Sequence, residues 1–319
     1  MGLKIAFVGD PLLNLNLEGD SSLSLAKAAL EVNAKVFWLD SHSLNFINGQ
    51  VSTKEFTLIK TIGHDKIDFQ SLQSQRQLSE FDMIFLRKDP PFDETYRDLC
   101  WFLSHSNLKN VFNNPEKLLT CPEKLFHYKA LHKGFLKTHE VIPTCISSHK
   151  ETIATFLETH KDKARAFLTK PFLGYGGREV RVHSSIDEAI DFLQKKAPRK
   201  YLLQPFLDEI YSEGDHRVFF INGEHVCHFT RYPQSGKVAS NLAQGGRAQL
   251  KELSKNQRDI CRRLGDFLKD EGIHLAGCDL IGDFVSEINI TSPTGLKTFE
   301  TLTDEPVSLK SLKILIGCP

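Results

Sequence analysis

The chain has 319 residues, which is room for two or three domains rather than one ordinary core. Its 40 basic and 40 acidic residues cancel and 40% of residues are apolar. That composition fits a soluble globular protein and excludes both the basic field of a nucleic-acid binder and the acidic tail of a solvating segment. No run approaches the roughly 18 apolar residues of a membrane span. The start, from Met1 to Val8, reads as a strand and lacks the apolar core and cleavage site of a signal peptide. The 7 cysteines are scattered singly from Cys100 to Cys318, a pattern that suits a reducing cytoplasm and not a zinc ribbon or disulfide framework.

In chain order, Leu3 to Val8 is a buried-type strand ending at Gly9-Asp10-Pro11. Asp20-Ser21-Ser22 can cap a helix carrying Leu23, Leu25, Ala26, Ala29 and Leu30. Val36 to Leu39 is the next strand, and the β-α-β order points to an open, doubly wound α/β sheet. No G-x-G-x-x-G follows the first strand, which disfavours a nicotinamide dinucleotide. Asn48-Gly49 is a hairpin turn between Leu44–Ile47 and Val51–Thr53. The strand Phe81 to Leu86 runs into Arg87-Lys88-Asp89-Pro90-Pro91, which aims charged side chains at the crevice where α/β sheets bind ligands. There Arg87 can grip a carboxylate with a bidentate fork, or the stretch is a surface turn with ion pairs. Asp93 caps a helix to about His105, Val111-Phe112 is a short strand, and a domain boundary falls near Thr120-Cys121-Pro122. Glu123-Lys124 then opens a helix.

Further on, Ala166 to Pro171 is a strand carrying Lys170, followed by the loop Gly174-Tyr175-Gly176-Gly177 and a second strand at Val180 and Val182. Such a loop lets backbone N–H groups approach phosphate oxygens, and Lys170 adds a point charge; glycines are also common in plain hairpin turns. Ser185 caps a helix from Ile186 to Lys195. The strand from Tyr201 ends in Gln204-Pro205-Phe206-Leu207, suited to lining an adenine slot. Arg217 and Arg231 flank two strands joined at Asn222-Gly223 and form either an inward cationic site or a water-facing row. Residues 232–247 read as a long lid-like loop, and Ser254 to Leu268 as an amphipathic helix.

The hairpin from Asp279 to Asn289 sets Asp279, Glu287 and Asn289 among apolar residues. This oxygen-only set suits Mg²⁺; the alternative is an edge hairpin with solvated carboxylates. A plain two-residue turn at Gly282-Asp283 pairs Asp279 with Ser286 and turns Glu287 away. A shared metal site therefore predicts a longer turn or a bulge, with both carboxylates facing Gly174–Gly177.

Taken in order, these stretches resemble the prokaryotic-type glutathione synthetases of the ATP-grasp superfamily. The resemblance rests on Asp20-Ser21-Ser22, Arg87 to Asp93, Glu123 to Phe126, Lys170 with its glycine loop, Asp215 to Val218, Asn241-Leu242-Ala243 with Gly245-Gly246-Arg247, and Asp279 to Thr294. It implies an ATP-grasp fold with an N-terminal doubly wound domain (1–121), a small lid (122–203) and a C-terminal antiparallel-sheet domain (204–319). It also implies a carboxylate–amine ligase that joins γ-glutamylcysteine to glycine through an acyl phosphate. Lys124, Lys170, Gly174, Gly176 and Gly177 would then hold phosphates, Gln204, Pro205, Phe206 and Leu207 adenine, and Asp215 the ribose. Asp279, Glu287 and Asn289 would hold two Mg²⁺, with Mn²⁺ as an alternative. Arg217, Arg231 and Lys170 would be catalytic. Asp20, Ser21, Ser22, Arg87, Asp89, Asn241, Gly245, Gly246, Arg247, Ser292 and Thr294 would serve the substrates. The expected partners are small molecules and further copies of the chain, as a dimer or tetramer, without nucleic acid or membrane. Two departures sit near the substrate end: Val238-Ala239-Ser240 where the family commonly has an arginine, and Gly295 to Thr298 where it has Cys-Ile-Arg-Glu. They keep two alternatives open, a ligase using another amine on a γ-glutamyl or related peptide, and a nucleotide-binding regulatory protein without turnover.

Overall fold

The computed structural model describes residues 2–162 and 164–317; Met1 and Cys318 lie outside the described residues. The first sheet begins with β1 (Lys4–Gly9), buried from Ile5 onward. Asp20 starts α1 (Ser21–Glu31) by accepting from the Ser22 and Leu23 N–H groups at 2.6 and 2.9 Å, as a helix N-cap does. The chain returns as β2 (Lys35–Asp40), parallel to β1. At Asn48-Gly49 both φ angles are positive, +50° and +82°, which is what a two-residue turn between β3 (Leu44–Ile47) and β4 (Gln50–Ile62) requires.

A strand that the sequence reading leaves out, β5 (Ile67–Gln77), pairs antiparallel with β4. Its side chains are mostly exposed, so the alternation that marks a half-buried strand is weak. β6 (Met83–Arg87) lies parallel on the other side of β1, and β7 (Val111–Phe112) is parallel to β6. The order is β3-β4-β2-β1-β6-β7, with β5 against β4. Side chains alternate across this sheet. Ile5 and Phe7 pack with α1, whereas Ala6 and Val8 pack with α2 (Glu94–Ser104), so both faces are covered as in a doubly wound fold.

After α3 (Pro115–Thr120) and α4 (Glu123–His132), a small module follows. It holds α5 (Lys150–His160), β8 (Phe167–Pro171), β9 (Arg181–His183), α6 (Ile186–Lys196) and β10 (Tyr201–Pro205). The strand order is β10-β8-β9, all antiparallel. Phe167, Tyr201 and Leu203 face the two helices and pack on Ile153, Leu157, Ile190 and Leu193. The alternate residues Leu168, Lys170 and Gln204 face a cleft. The expected boundary after residue 203 falls inside β10, so this sheet runs on to Pro205. Likewise α4 sits outside the module: Phe126 packs on Phe267, with ring centroids 5.0 Å apart.

A short helix, α7 (Glu209–Ser212), leads into the third sheet. It contains β11 (Asp215–Ile221), β12 (Glu224–Tyr232), β13 (Arg247–Gln249), β14 (Leu275–Ile281) and β15 (Phe284–Asn289), ordered β13-β12-β11-β14-β15. α8 (Lys255–Asp270) covers one face, over Val218, Phe220, Cys278 and Leu280. On the other face Phe219 and Ile221 lie under α9 (Leu296–Thr303) and α10 (Val307–Ile316), which also pack on α1. Asp215 and Arg217 continue that second face beyond the helices and reach the cleft.

The helices are fastened by a buried charge. Glu271, 2% exposed at the C-terminus of α8, takes Lys117 at 2.8 Å and Lys129 at 2.7 Å, and also Lys133. Burial pushes its carboxyl up, but the three lysine hydrogen bonds outweigh that and bring it to about 2. A folded value below the ordinary 4.5 means that the stabilisation is present above about pH 4.5 and is lost as pH falls towards 2. Glu271→Gln should therefore cost about 3 kcal/mol at pH 7, with the gap to the parent closing below about pH 4.5. Urea denaturation at pH 7 and pH 3 checks this; an equal gap at both would contradict it.

Candidate active site

A cleft of about 390 Å³ separates the inner face of the small module from the third sheet. From the module come Lys170, the glycine loop, and Gln204 to Leu207; from the third sheet come Asp215, Arg217, Arg231, Asp279, Glu287 and Asn289. The first domain contributes Asp89 and Pro90.

The hairpin sets the geometry. Its turn has two residues, with Ile281 opposite Phe284 and Leu280 opposite Val285; the register then slips and Asp279 faces Glu287. Ser286 is the extra residue, a bulge of the kind that a shared carboxylate site predicts. Without it, Glu287 points the other way.

Lys124, 7% exposed on α4, places its Nζ 3.3 Å from Glu287 Oε1 and donates to the Gly174 carbonyl. Burial raises the Glu287 carboxyl, yet Lys124 and Lys170 together hold it below the ordinary carboxylate range. Burial lowers the Lys170 ammonium, which Glu287 partly restores. The same helix is pinned by Glu123, which accepts from the Ile290 and Thr291 N–H groups at 2.6 and 2.8 Å. Glu123 thus fixes the lysine beside the acidic hairpin.

Across β11, β12 and β14 the charges alternate. Arg217 pairs in register with Asp279, and Asp215 with Arg231. Arg217 Nε lies 2.8 Å from Asp279 Oδ1, and Arg231 Nη2 lies 2.9 Å from that oxygen and 2.5 Å from Asp215 Oδ2. Burial opposes the Arg231 cation, but Asp215 and Asp279 more than restore it. Burial pushes the Asp215 carboxyl up, and its Oδ1 is a buried acceptor without a hydrogen-bond partner. Two guanidinium groups are thus held rigidly on the third-sheet wall, with Lys170 on the module wall and Lys124 reaching the cleft from α4.

The loop 232–247 closes one side. Ser240, only 4% exposed, donates to Asp215 Oδ2 at 2.5 Å. Gly177 has φ +73°, and a Cβ there would come within 2.6 Å of Asn241 Oδ1, so glycine is what lets the two loops meet. Nothing in the sequence alone distinguishes Ser240 from its polar neighbours.

Asp89, Asn241, Ser292 and Thr294 line the cleft, where burial pushes the Asp89 carboxyl up. Asp20, Ser21, Ser22 and Arg87 stand behind that wall. Ser21 Oγ accepts from the Gly295 and Leu296 N–H groups at 2.9 and 3.1 Å. Arg87 donates to Ser22 Oγ at 2.9 Å and to the Pro293 carbonyl at 3.0 Å. These contacts tie the first domain to the turn at 292–296. Gly245 and Gly246 sit at the base of the loop, where a Cβ on Gly246 would lie 2.1 Å from the Ser240 carbonyl; Arg247 is exposed on β13. Gly295 to Thr298 do not line the cleft. Gly295, at φ +133°, precedes α9, and a Cβ there would press on Phe229, so packing accounts for the glycine at that one position.

The residues fit a hard divalent cation. Asp279 and Glu287 offer facing carboxylates, and Asn289 Nδ2 lies 3.1 Å from Asp279 Oδ2. A half-turn of that amide brings its oxygen there instead. The set is two carboxylates and one amide, all oxygen donors once the amide is turned. That suits an ion such as Mg²⁺, which takes one or two carboxylates and shares the rest of its shell with phosphates and water.

Two antiparallel sheets clamping such a cleft make an ATP-grasp fold, and solved structures agree. The ATP-grasp ligase PsnB complexed with minimal precursor superposes with a TM-score of 0.64 at 16% identity, covering 99% of both chains. D-cycloserine synthetase DcsG gives 0.69 at 16%, covering 98% of both. Sequence narrows the class. Residues 3–118 match the prokaryotic glutathione synthetase N-terminal domain, and residues 130–304 match the ATP-grasp domain of the same family. The glutathione synthetase of Prochlorococcus marinus subsp. pastoris is 31% identical over 98% of this chain and 99% of its own. The chain belongs to the prokaryotic glutathione synthetase family and is an ATP-dependent ligase.

Proposed function

We propose that the chain joins γ-glutamylcysteine to glycine. The γ-phosphoryl group of ATP passes to the dipeptide's C-terminal carboxylate, breaking the bond to the β-phosphate oxygen. The glycine amine then attacks the acyl carbon, phosphate leaves, and the net products are the tripeptide, ADP and phosphate. The observation that carries this reading is the Ser286 bulge, which sets Asp279 and Glu287 side by side opposite Lys124, Lys170 and the glycine loop. Phosphoryl transfer needs positioning and charge neutralisation more than covalent help. Lys124, Lys170, Gly174, Gly176 and Gly177 would hold phosphates, Gln204 to Leu207 adenine, and Asp215 a ribose hydroxyl through its unpartnered Oδ1. Arg217 and Arg231 would meet charge on the transferring group. Asp279, Glu287 and Asn289 would hold two Mg²⁺, which neutralise phosphate charge when bound. Asp89, Asn241, Ser292 and Thr294 would meet the amino-acid substrates directly, with Asp20, Ser21, Ser22, Arg87, Gly245, Gly246 and Arg247 supporting them.

A second reading has an observation behind it. Ala239 lines the cleft without charge where the family commonly supplies an arginine, which favours a looser choice of small amine. We also place the enzyme in the cytoplasm as a dimer or tetramer. All six described cysteines are free thiols, and among the described residues no helix is long and apolar enough to cross a membrane.

The deciding experiment supplies Mg-ATP, γ-glutamylcysteine and a panel of amines, with products identified by mass. ADP release that requires both organic substrates, with glutathione formed, supports the proposal. Product with another amine but none with glycine leaves only the broader ligase. Lys170→Ala should weaken ATP binding by roughly ten- to a hundredfold, the worth of one charge-assisted hydrogen bond. An unchanged calorimetric affinity would remove Lys170 from the phosphate site.

A further inference from the structure

On the face of β12 turned towards the α8 side, outside the cleft, two histidines meet. His225 Nε2 and His228 Nδ1 are 3.2 Å apart, with ring centroids 5.1 Å apart. Residues three apart on a regular strand point to opposite faces. Here the register slips between Phe219 and Phe220: His228 pairs with Val218 and His225 with Phe220, leaving Val226 as the extra residue. The bulge turns both imidazoles to one side. His225 is exposed and His228 half-buried, so the pair is open to solvent. We propose that His225 and His228 chelate one divalent transition-metal ion, such as Zn²⁺ or Cu²⁺, at a surface site separate from the cleft.

Geometry and chemistry support this. Two nitrogens each about 2.0–2.1 Å from a tetrahedral ion lie about 3.3–3.4 Å apart, close to the spacing already present. The Cys227 backbone lies by the His225 ring and the Lys251 backbone by the His228 ring, and each favours a proton on its imidazole. A backbone carbonyl beside the outer side of a ring is the usual support of a metal-bound imidazole, and the tautomers with both facing nitrogens unprotonated present two lone pairs together. Packing around the rings lowers both histidines rather than raising them, and at His225 the charge of the neighbouring imidazole and of a lysine adds to this, so protons compete little near neutral pH. Imidazole nitrogen selects zinc, copper or nickel over Mg²⁺, which keeps this site chemically distinct from the oxygen site in the cleft. Among the described residues no third His, Cys, Asp or Glu joins the pair, so water completes the coordination.

The test titrates the metal-stripped full chain with Cu²⁺ alone and reads electron paramagnetic resonance. The expected spectrum of the parent shows two coupled nitrogens. His225→Gln and His228→Gln should each lose one, and each should weaken binding at least about tenfold, the scale on which even outer-shell changes act. Turnover of Mg-ATP without copper should be unchanged in both variants. In the unmodified protein, Zn²⁺ should slow carbethoxylation of His225 and His228, read peptide by peptide. A parent spectrum without nitrogen coupling, spectra identical in parent and variants, or zinc that leaves both modification rates unchanged would each overturn the site.

Discussion

Arg231→Lys is expected to lower kcat for ligation by about a hundred- to a thousandfold while ATP affinity stays within a few-fold of the parent. Lysine keeps the positive charge, so Asp215 and Asp279 are not left as bare buried carboxylates, an outcome that would confound activity with folding. What lysine lacks is the planar fork. One Arg231 nitrogen, Nη2, lies 2.5 Å from Asp215 and 2.9 Å from Asp279, and the rest of the guanidinium remains to face the cleft. A lysine ammonium drawn between those two carboxylates has no second nitrogen to offer a transferring phosphoryl group. Loss of one such preorganised donor typically costs that factor in rate. Steady-state ADP release with saturating substrates, alongside calorimetric ATP binding, separates the two effects. A kcat within twofold of the parent would show that Arg231 only braces the acidic pair.

The parts of the site that were legible in the sequence follow from period-two alternation. Two carboxylates can share a metal only if the Gly282-Asp283 hairpin carries an extra residue, and Ser286 is that residue. The same rule places Lys170 and Gln204 on the cleft side of their strands, with Phe167 and Leu203 packed against helices. The first domain was legible because Ile5 to Val8 is apolar on both faces, the mark of a strand covered twice.

Other features depend on what meets what in space. Polar residues at the end of a strand read alike whether they face a ligand or another element. Arg87 turned out to hold Ser22 and the Pro293 carbonyl, and Ser21 to cap the turn at Gly295. The bond from Ser240 to Asp215 spans 25 residues and has no local signature. β5 escaped because its side chains are largely solvated on both faces. α4 was assigned to the lid by chain order, whereas Phe126 finds its partner on α8.

Asn113 is a heavily hydrogen-bonded side chain at the joint between the first domain and the third sheet, and its removal is expected to lower the melting temperature by roughly 5–10 °C. Asn113, 2% exposed at the end of β7, uses all four of its hydrogen-bonding positions. Its amide nitrogen donates to the Leu275 carbonyl at 2.6 Å and the Ile290 carbonyl at 2.8 Å. Its oxygen accepts from the His274 N–H at 2.9 Å and the Leu275 N–H at 2.7 Å. Asn113→Ala strands those four backbone positions in a site that already excludes solvent. Each buried group left without a partner costs about 1–3 kcal/mol, and local relaxation recovers part of the sum, so a net loss of about 4 kcal/mol is expected. That is a large fraction of the roughly 5–15 kcal/mol by which folded proteins exceed their unfolded chains. Asn113→Asp separates lost hydrogen bonds from lost packing volume. It keeps the acceptors and the shape but sets a carboxylate oxygen against the two carbonyls. It should therefore be as damaging as alanine at pH 7 and milder at pH 4, where protonation returns one donor. Differential scanning calorimetry of both variants at the two pH values decides the matter. A shift below about 1 °C for Asn113→Ala would mean that the joint is held by its apolar contacts and by the Ser21, Arg87 and Lys117 contacts, and not by Asn113.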